Sequence, residues 1–196
     1  MNDLAGAISR LGANFMDLTP TVASLLNPRD VPGVKNLALG GEALTKAVLD
    51  QWTPFVHVVG QYGPSEASVN SAFKDFKQPG EPTNIGKAVG SVSWVVDPED
   101  RNRLVPIGCK GELLIEGPIL ARGYLQDPEK TRLAFIQNPT WACTGDDNPR
   151  QFYCTGDLVH YTGEGEMMYL GRKDSQVKVS QIVTEVSHIH PLTNYS

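Results

Sequence analysis

A chain of 196 residues, 40% of them hydrophobic, is long enough to bury one large core or two small ones. Its 17 basic and 22 acidic residues leave a formal net charge of -5 without a long run of either sign, which argues against a broad nucleic-acid or anionic-membrane footprint. The three cysteines, Cys109, Cys143 and Cys154, show no CxxC spacing, and neither a signal peptide nor an apolar run of membrane-spanning length is present, so the expectation is a cytoplasmic protein acting on small molecules, with no nucleic-acid or membrane partner.

In chain order, LAGAISRL has apolar residues at helical spacing, ANFMDLTP is strand-like, and Thr19-Pro20 opens a helix over TVASLLN with threonine as cap. VKNLALGG is a short apolar strand, EALTKAVLDQW an amphipathic helix and FVHVV a further strand. His57 alternates with valines there and is expected to be a packed core histidine. Apolar strands alternating with helices predict an α/β arrangement over residues 1–80, a parallel sheet with flanking helices.

From about residue 81 to 174, glycine and proline punctuate short extended runs: SVSWVV, RLVP, GELLIEG and EMMYLG, with DPEDRN as a polar turn. This predicts a β-rich region folded as a distorted barrel. One helix interrupts it at DPEKTRLAF, where Asp127 caps and Pro128 takes the first helical position.

Three motifs carry polar chemistry. GQYGPSEAS, Gly60 to Ser68, leaves the end of a buried strand, where parallel sheets place ligands. Tyr62 offers a flat ring, Ser65 a hydroxyl and Glu66 a carboxylate, a set suited to a base, a phosphate and a magnesium ion. An ordinary strand-to-loop turn accounts for the same residues. YCTGDLV presents Asp157 on a Thr-Gly turn before an extended run, and a carboxylate there can accept from both hydroxyls of a ribose. Thr-Gly-Asp is also a common turn. In GRKDSQVK, Arg172 and Lys178 can face phosphate or ribose, with Asp174 between them, and a solvated connector is the other reading. GELLIEGPILARGYL, with Glu112 and Glu116 expected to face outward, reads as structural. His188, His190 and the Gly163-x-Gly165 pair lack the companions that a metal or phosphate site needs.

Taken together and in order, GGEALT, QYGPSEAS, GELLIEGPILARGYL, YCTGDL and GRKDSQVK resemble the middle and late motifs of the adenylation domains of nonribosomal peptide synthetases. These are adenylate-forming enzymes, with acyl-CoA synthetases as the alternative cousin; the proline of YGPSE favours the peptide-synthetase side. The resemblance runs from about residue 37 to Lys178, with LTP at Leu18 also matching. It implies half of a large lobe of sheets and distorted barrel, ATP and Mg2+ as cofactors, an amino acid as substrate, and a phosphopantetheinyl carrier protein as partner in the full-length enzyme. By position, Tyr62 would stack on adenine, Ser65 touch the α-phosphate, Glu66 help hold magnesium, Asp157 grip the ribose and Arg172 contact ribose or phosphate. Asp174 would be the hinge, with Lys178 just beyond it. The ungapped spacing from LTP to YGPSE puts the side-chain pocket on Asp17, Ala38, Gly40, Gln61, Val69 and Asn70, a partly polar lining.

The family's phosphate-wrapping loop and the lysine of its small C-terminal lobe have no counterpart in this sequence. The expectation is therefore a fragment of an amino-acid-activating domain that is inactive alone, the alternative being a non-catalytic nucleotide- or partner-binding remnant. After QVK the family continues into the small lobe, whereas residues 175–196 here pass from hinge into a tail without that likeness. Its codons can spell a splice donor after Lys178, a branch sequence at Leu-Thr-Asn and an acceptor at Tyr-Ser, bounding about fifty nucleotides. The expectation is a translated intron with no part in the fold; a diverged or truncated terminus is the alternative.

Overall fold

The computed structural model describes residues 3–142 and 149–173, and the backbone alone of 176–179 and 182–185. Helix α1 (Leu4–Arg10) is capped by Asp3, whose side chain accepts from the Gly6 amide. Strand β1 (Phe15–Leu18) leads into α2 (Pro20–Ser24), and Thr19 caps that helix as its sequence predicts. Strand β2 (Asn36–Leu39), helix α3 (Lys46–Trp52) and strand β3 (His57–Tyr62) complete the alternation. α3 starts four residues after Glu42, because Thr45 takes the cap and the Glu42 carboxylate is engaged elsewhere. It accepts from the Thr21 amide and hydroxyl at 3.1 and 2.5 Å, closing the start of α2.

Strands β1, β2 and β3 are parallel, with Asp17 opposite Ala38 and Ala38 opposite Val59. Their core is almost wholly aliphatic around Trp52, with Leu37, Leu39, Leu49 and Val58 fully buried. The Trp52 indole donates to the Ala23 carbonyl at 3.1 Å, tying α3 to α2. Strand β4 (Ala72–Phe76) returns antiparallel to β3, and β5 (Asn84–Ala88) pairs with β4. Neither strand is evident in the sequence, because Phe73-Lys74-Asp75-Phe76 lacks a clean period of two. His57 is a correction as well: it is half-exposed, its Nε2 2.6 Å from an Asp75 oxygen and its Nδ1 3.3 Å from that of Asn36. Standing first on β3, it meets the polar end of β4 instead of the core.

The β-rich region comprises β6 (Val92–Val96), β7 (Gly111–Glu116), helix α4 (Pro128–Ala134), β8 (Phe135–Gln137), β9 (Gln151–Tyr161) and β10 (Met167–Arg172). It does not close into a barrel. β5 also pairs with β10, so one ten-stranded sheet runs β1-β2-β3-β4-β5-β10-β9-β7-β6, with β8 on the side of β9. The junction passes through Gly86, at φ 77, where an added Cβ would lie 1.9 Å from the Phe73 carbonyl oxygen. RLVP contributes a single bridge, Leu104 to Val96, instead of a strand.

Glu112 and Glu116 turn inward, against expectation. Glu112 is 1% exposed, with Arg101 at 3.4 Å and Lys173 at 3.6 Å. Glu116 accepts from Arg150 at 2.6 and 2.7 Å and from the Trp94 indole at 2.9 Å. Both faces of β7 are covered, Leu113 and Ile115 packing into one core cluster and Leu114 into another, so its alternating pattern has no solvent side. β11 (Gln176–Val179) and β12 (Ile182–Glu185) pair antiparallel as a separate two-stranded sheet, rich in β-branched residues. The rest of the tail, His188 and His190 included, and Asp174 lie outside the described residues.

Candidate functional site

β3 runs on through Gln61 and Tyr62 before the chain turns at Gly63-Pro64, and Ser65–Ala67 form one 3-10 turn. The turn is held by Ala67 and Val69 amides donating to the Pro64 carbonyl at 3.0 and 3.2 Å. An added Cβ on Gly63 would meet the Val69 carbonyl oxygen at 2.4 Å, so the two limbs of the loop touch there. Ser68 and Val69 both have positive φ, 54 and 71. For a β-branched residue this is a sparsely populated conformation, of the kind found at working sites.

The turn faces β9 and β10. The Tyr62 hydroxyl donates to Oδ2 of Asp157, 95 residues further along the chain. Arg172, opposite Asp157 in the β9–β10 register, donates from Nη1 to Asp157 Oδ1 at 3.1 Å and to the Thr155 carbonyl at 2.7 Å. Gly156, at φ 70, lets the guanidinium approach, since an added Cβ would sit 2.9 Å from Arg172 Nη2. Thr155 completes the arrangement by accepting from the Asp157 amide at 3.0 Å and donating to the Leu113 carbonyl at 2.8 Å. Asp157 thus lies inside an eleven-residue strand, not on a turn ahead of one. Burial and the neighbouring Asp157 carboxylate push the Tyr62 hydroxyl well above its ordinary range, so it stays a proton donor.

Glu66 sits beside this cluster. Its Oε1 accepts from the Tyr124 hydroxyl at 2.6 Å, and its backbone carbonyl accepts from the Ala121 amide at 2.8 Å. Ser65, next to it, is exposed. Among the described residues no group of three histidines, cysteines or acids is placed to hold a metal. A magnesium ion at Glu66 would therefore take one protein carboxylate and draw its other ligands from phosphate and water, a common arrangement for that ion.

Asp17, Ala38, Gly40 and Gln61 lie on one face of the parallel strands, because Asp17, Ala38 and Val59 are in register and Gly40 and Gln61 follow two residues on. Gln61 donates to Asp17 Oδ2 at 3.5 Å, and its Cβ is 3.0 Å from where a Gly40 Cβ would stand. Val69 is 64% exposed, and Asn70 is half-buried beside it on the turn. Lys178 is placed by its backbone alone, on β11.

Tyr124 is the site residue that the sequence did not reveal. It lies in the segment read as structural, three residues before the predicted cap Asp127, and a phenol at that spot carries no signal until the loop is folded onto Glu66. Cys154, by contrast, is a buried thiol pushed up to about 12 by its burial, and so an inert one.

The family of AMP-binding enzymes matches residues 1–125. A nonribosomal peptide synthetase from Gibberella zeae is 57% identical over 91% of this chain, and one from Aspergillus violaceofuscus 44% identical over 95%. The chain spans about 2% of the length of each of these relatives. A solved structure of a nonribosomal peptide synthetase protein containing adenylation and PCP domains superimposes with a TM-score of 0.80 at 25% identity, over 93% of this chain and 32% of its own. The described residues contain no helix long and apolar enough to cross a membrane. With the family match covering more than half its length, the chain belongs to the AMP-binding enzymes, in the branch of nonribosomal peptide synthetase adenylation domains.

Proposed function

We propose that this chain is the ribose- and α-phosphate-holding part of an adenylation domain that uses ATP and an amino acid. The observation that carries the reading is the cluster of Tyr62, Asp157 and Arg172, drawn from three strands to one carboxylate. An ionised carboxylate has about four lone-pair directions. Tyr62 and Arg172 take two, leaving two for the adjacent hydroxyls of a ribose. The Tyr62 ring would then lie against the base, Ser65 would meet the α-phosphate, and Arg172 would offset its charge.

In the whole enzyme the amino-acid carboxylate would attack the α-phosphorus, breaking its bond to pyrophosphate and leaving an aminoacyl-adenylate. Mg2+ held at Glu66 would neutralise phosphate charge in that step. Asp17, Ala38, Gly40 and Gln61, with Val69 and Asn70 at the turn, would line the side-chain pocket, and the Asp17–Gln61 pair suits a hydrogen-bonding side chain. Asp174 and Lys178 would serve the hinge, and the acyl group would pass to a phosphopantetheinyl carrier in the full-length protein. A cytoplasmic setting goes with the use of ATP.

The test is calorimetric titration of the purified chain with AMP, with Asp157→Asn alongside. Loss of the charged acceptor for two hydroxyls is expected to weaken binding by about tenfold or more. Equal affinity in both proteins, or none in the unaltered chain, would refute the reading. Amino-acid-dependent exchange of pyrophosphate into ATP by the 196-residue chain alone would contradict the expectation that it needs the remainder of a synthetase.

A further inference from the structure

The loop after β7 folds back onto the Ser65–Ala67 turn by three hydrogen bonds. The Ala121 amide reaches the Glu66 carbonyl at 2.8 Å, the Ser68 hydroxyl the Ile119 carbonyl at 2.7 Å, and the Tyr124 hydroxyl Glu66 Oε1 at 2.6 Å. The first joins backbone to backbone, and the second a side-chain hydroxyl to backbone. The third holds a side chain, and the holder is itself held. The Tyr124 amide donates to the Thr131 hydroxyl at 2.8 Å, Lys130 Nζ stands 4.4 Å above the ring, and Phe135 meets it edge-on at 5.9 Å.

Glu66 stands on a three-residue 3-10 turn, and the Tyr153 phenol is a further side-chain hydrogen-bond partner of both Glu66 and Tyr124. A glutamate released from such a contact regains the rotamer freedom that the contact removes. The Tyr124 hydroxyl takes one of about four lone-pair directions of the carboxylate on Oε1, which leaves directions from which a cation can be met.

We propose that Tyr124 is a positioning residue for Glu66, fixing the carboxylate so that it meets the divalent ion carried by the nucleotide. The proposal rests on the nucleotide reading given above. A phenol of purely structural use would lower nucleotide affinity equally with and without the ion. A positioning phenol affects only the ion-dependent part.

The experiment measures ATP affinity of the full chain with Mg2+ and with EDTA, for the unaltered protein, Tyr124→Phe and Glu66→Gln. Phenylalanine keeps the ring packing and deletes only the donor. The gain in affinity that Mg2+ confers is expected to shrink about 10- to 100-fold in Tyr124→Phe, as for other groups that orient metal ligands, and to vanish in Glu66→Gln. Affinity in EDTA is expected to stay within about twofold, because Asp157 and Arg172 are untouched. An undiminished Mg2+ gain in Tyr124→Phe, or an equal loss in EDTA, would overturn the proposal while leaving the nucleotide reading standing. If the unaltered chain binds ATP in neither buffer, the nucleotide reading is lost. Amide exchange at residues 65–67 then decides Tyr124 alone: faster exchange in Tyr124→Phe supports the anchoring, and unchanged exchange overturns it.

Discussion

The parallel part of the sheet and the antiparallel part solve the same packing problem with different materials. Around β1, β2 and β3 the buried cluster is apolar, from Ile8 through Trp52 to Phe76, and its one tryptophan hydrogen bond goes to a backbone carbonyl. Around β7, β9 and β10, carboxylates enter the interior: Glu112, Glu116, Asp157 and Glu166 are each held by Arg or Lys. An aliphatic interior stabilises without asking for geometry, whereas a buried carboxylate is tolerable only where its partners are fixed. Preset charges are thus a feature of the antiparallel half, and the parallel half supplies an apolar floor.

Truncation separates the two most sharply. Trp52→Ala is expected to cost about 3–5 kcal/mol, since it removes a fully buried ring and the tie between α2 and α3. Thermal unfolding checks it, and a loss below about 1 kcal/mol would show that the parallel part is loosely packed. Glu116→Ala strands the Arg150 guanidinium, which also lies over the Trp94 and Phe152 rings. Because both side chains keep some solvent contact, about 2 kcal/mol is expected, less than for a fully buried pair.

Acid gives a third contrast. Arg150 holds the Glu116 carboxyl below the usual range, and Lys74, with Asn84, does the same for Glu166. A carboxyl depressed in the folded state contributes stability above its unfolded value, about 4.3 for glutamate. That contribution is lost as pH falls through the lower folded value. Three tryptophans make the loss visible by region. Trp94 and Trp141, with ring centroids 4.8 Å apart and planes tilted by 40°, are expected to change their fluorescence at higher pH than Trp52 as acid is added. Single-tryptophan variants carry the measurement, and coincident midpoints would mean that the regions unfold as one unit. The effect is smaller than truncation, since a protonated Glu116 can still hydrogen-bond to its partners.

Legibility in the sequence followed the same division. The apolar strands and capped helices of the first half are short-range patterns, and Thr19, Asp127 and the β3 turn stand where the residues predict. What failed depended on distant partners. Glu112 and Glu116 look outward from alternation alone, and the groups that meet them inside, Arg101 and Lys173 for one, Arg150 and Trp94 for the other, come from other segments of the chain. The barrel expectation failed for a similar reason: short strands reveal extension but not which edge each will find, and β5 found both β4 and β10. Of the candidate site, Tyr62, Asp157 and Arg172 do converge. The Tyr124 contribution stayed hidden because Glu66 lies 58 residues before it.

The smallest expected effects are at the helix caps, and they test whether the contrast extends to local structure. Thr45 caps α3, which buries Val48, Leu49 and Trp52; Asp127 caps α4, which buries none of its residues. Removing either hydrogen bond by alanine substitution costs its helix about 1 kcal/mol. In α3 the helix cannot fray without exposing the apolar core, so Thr45→Ala is expected to lower global stability by nearly that amount in denaturant unfolding. In α4 fraying exposes little, so Asp127→Ala is expected to leave the global midpoint nearly unmoved while amides of residues 129–131 exchange faster. Thr131 accepts from the Tyr124 amide, so that local loosening should reach the phenol on Glu66. A global loss as large for Asp127→Ala as for Thr45→Ala would show that α4 is as much a part of the core as α3, and the contrast would then hold for the strands alone.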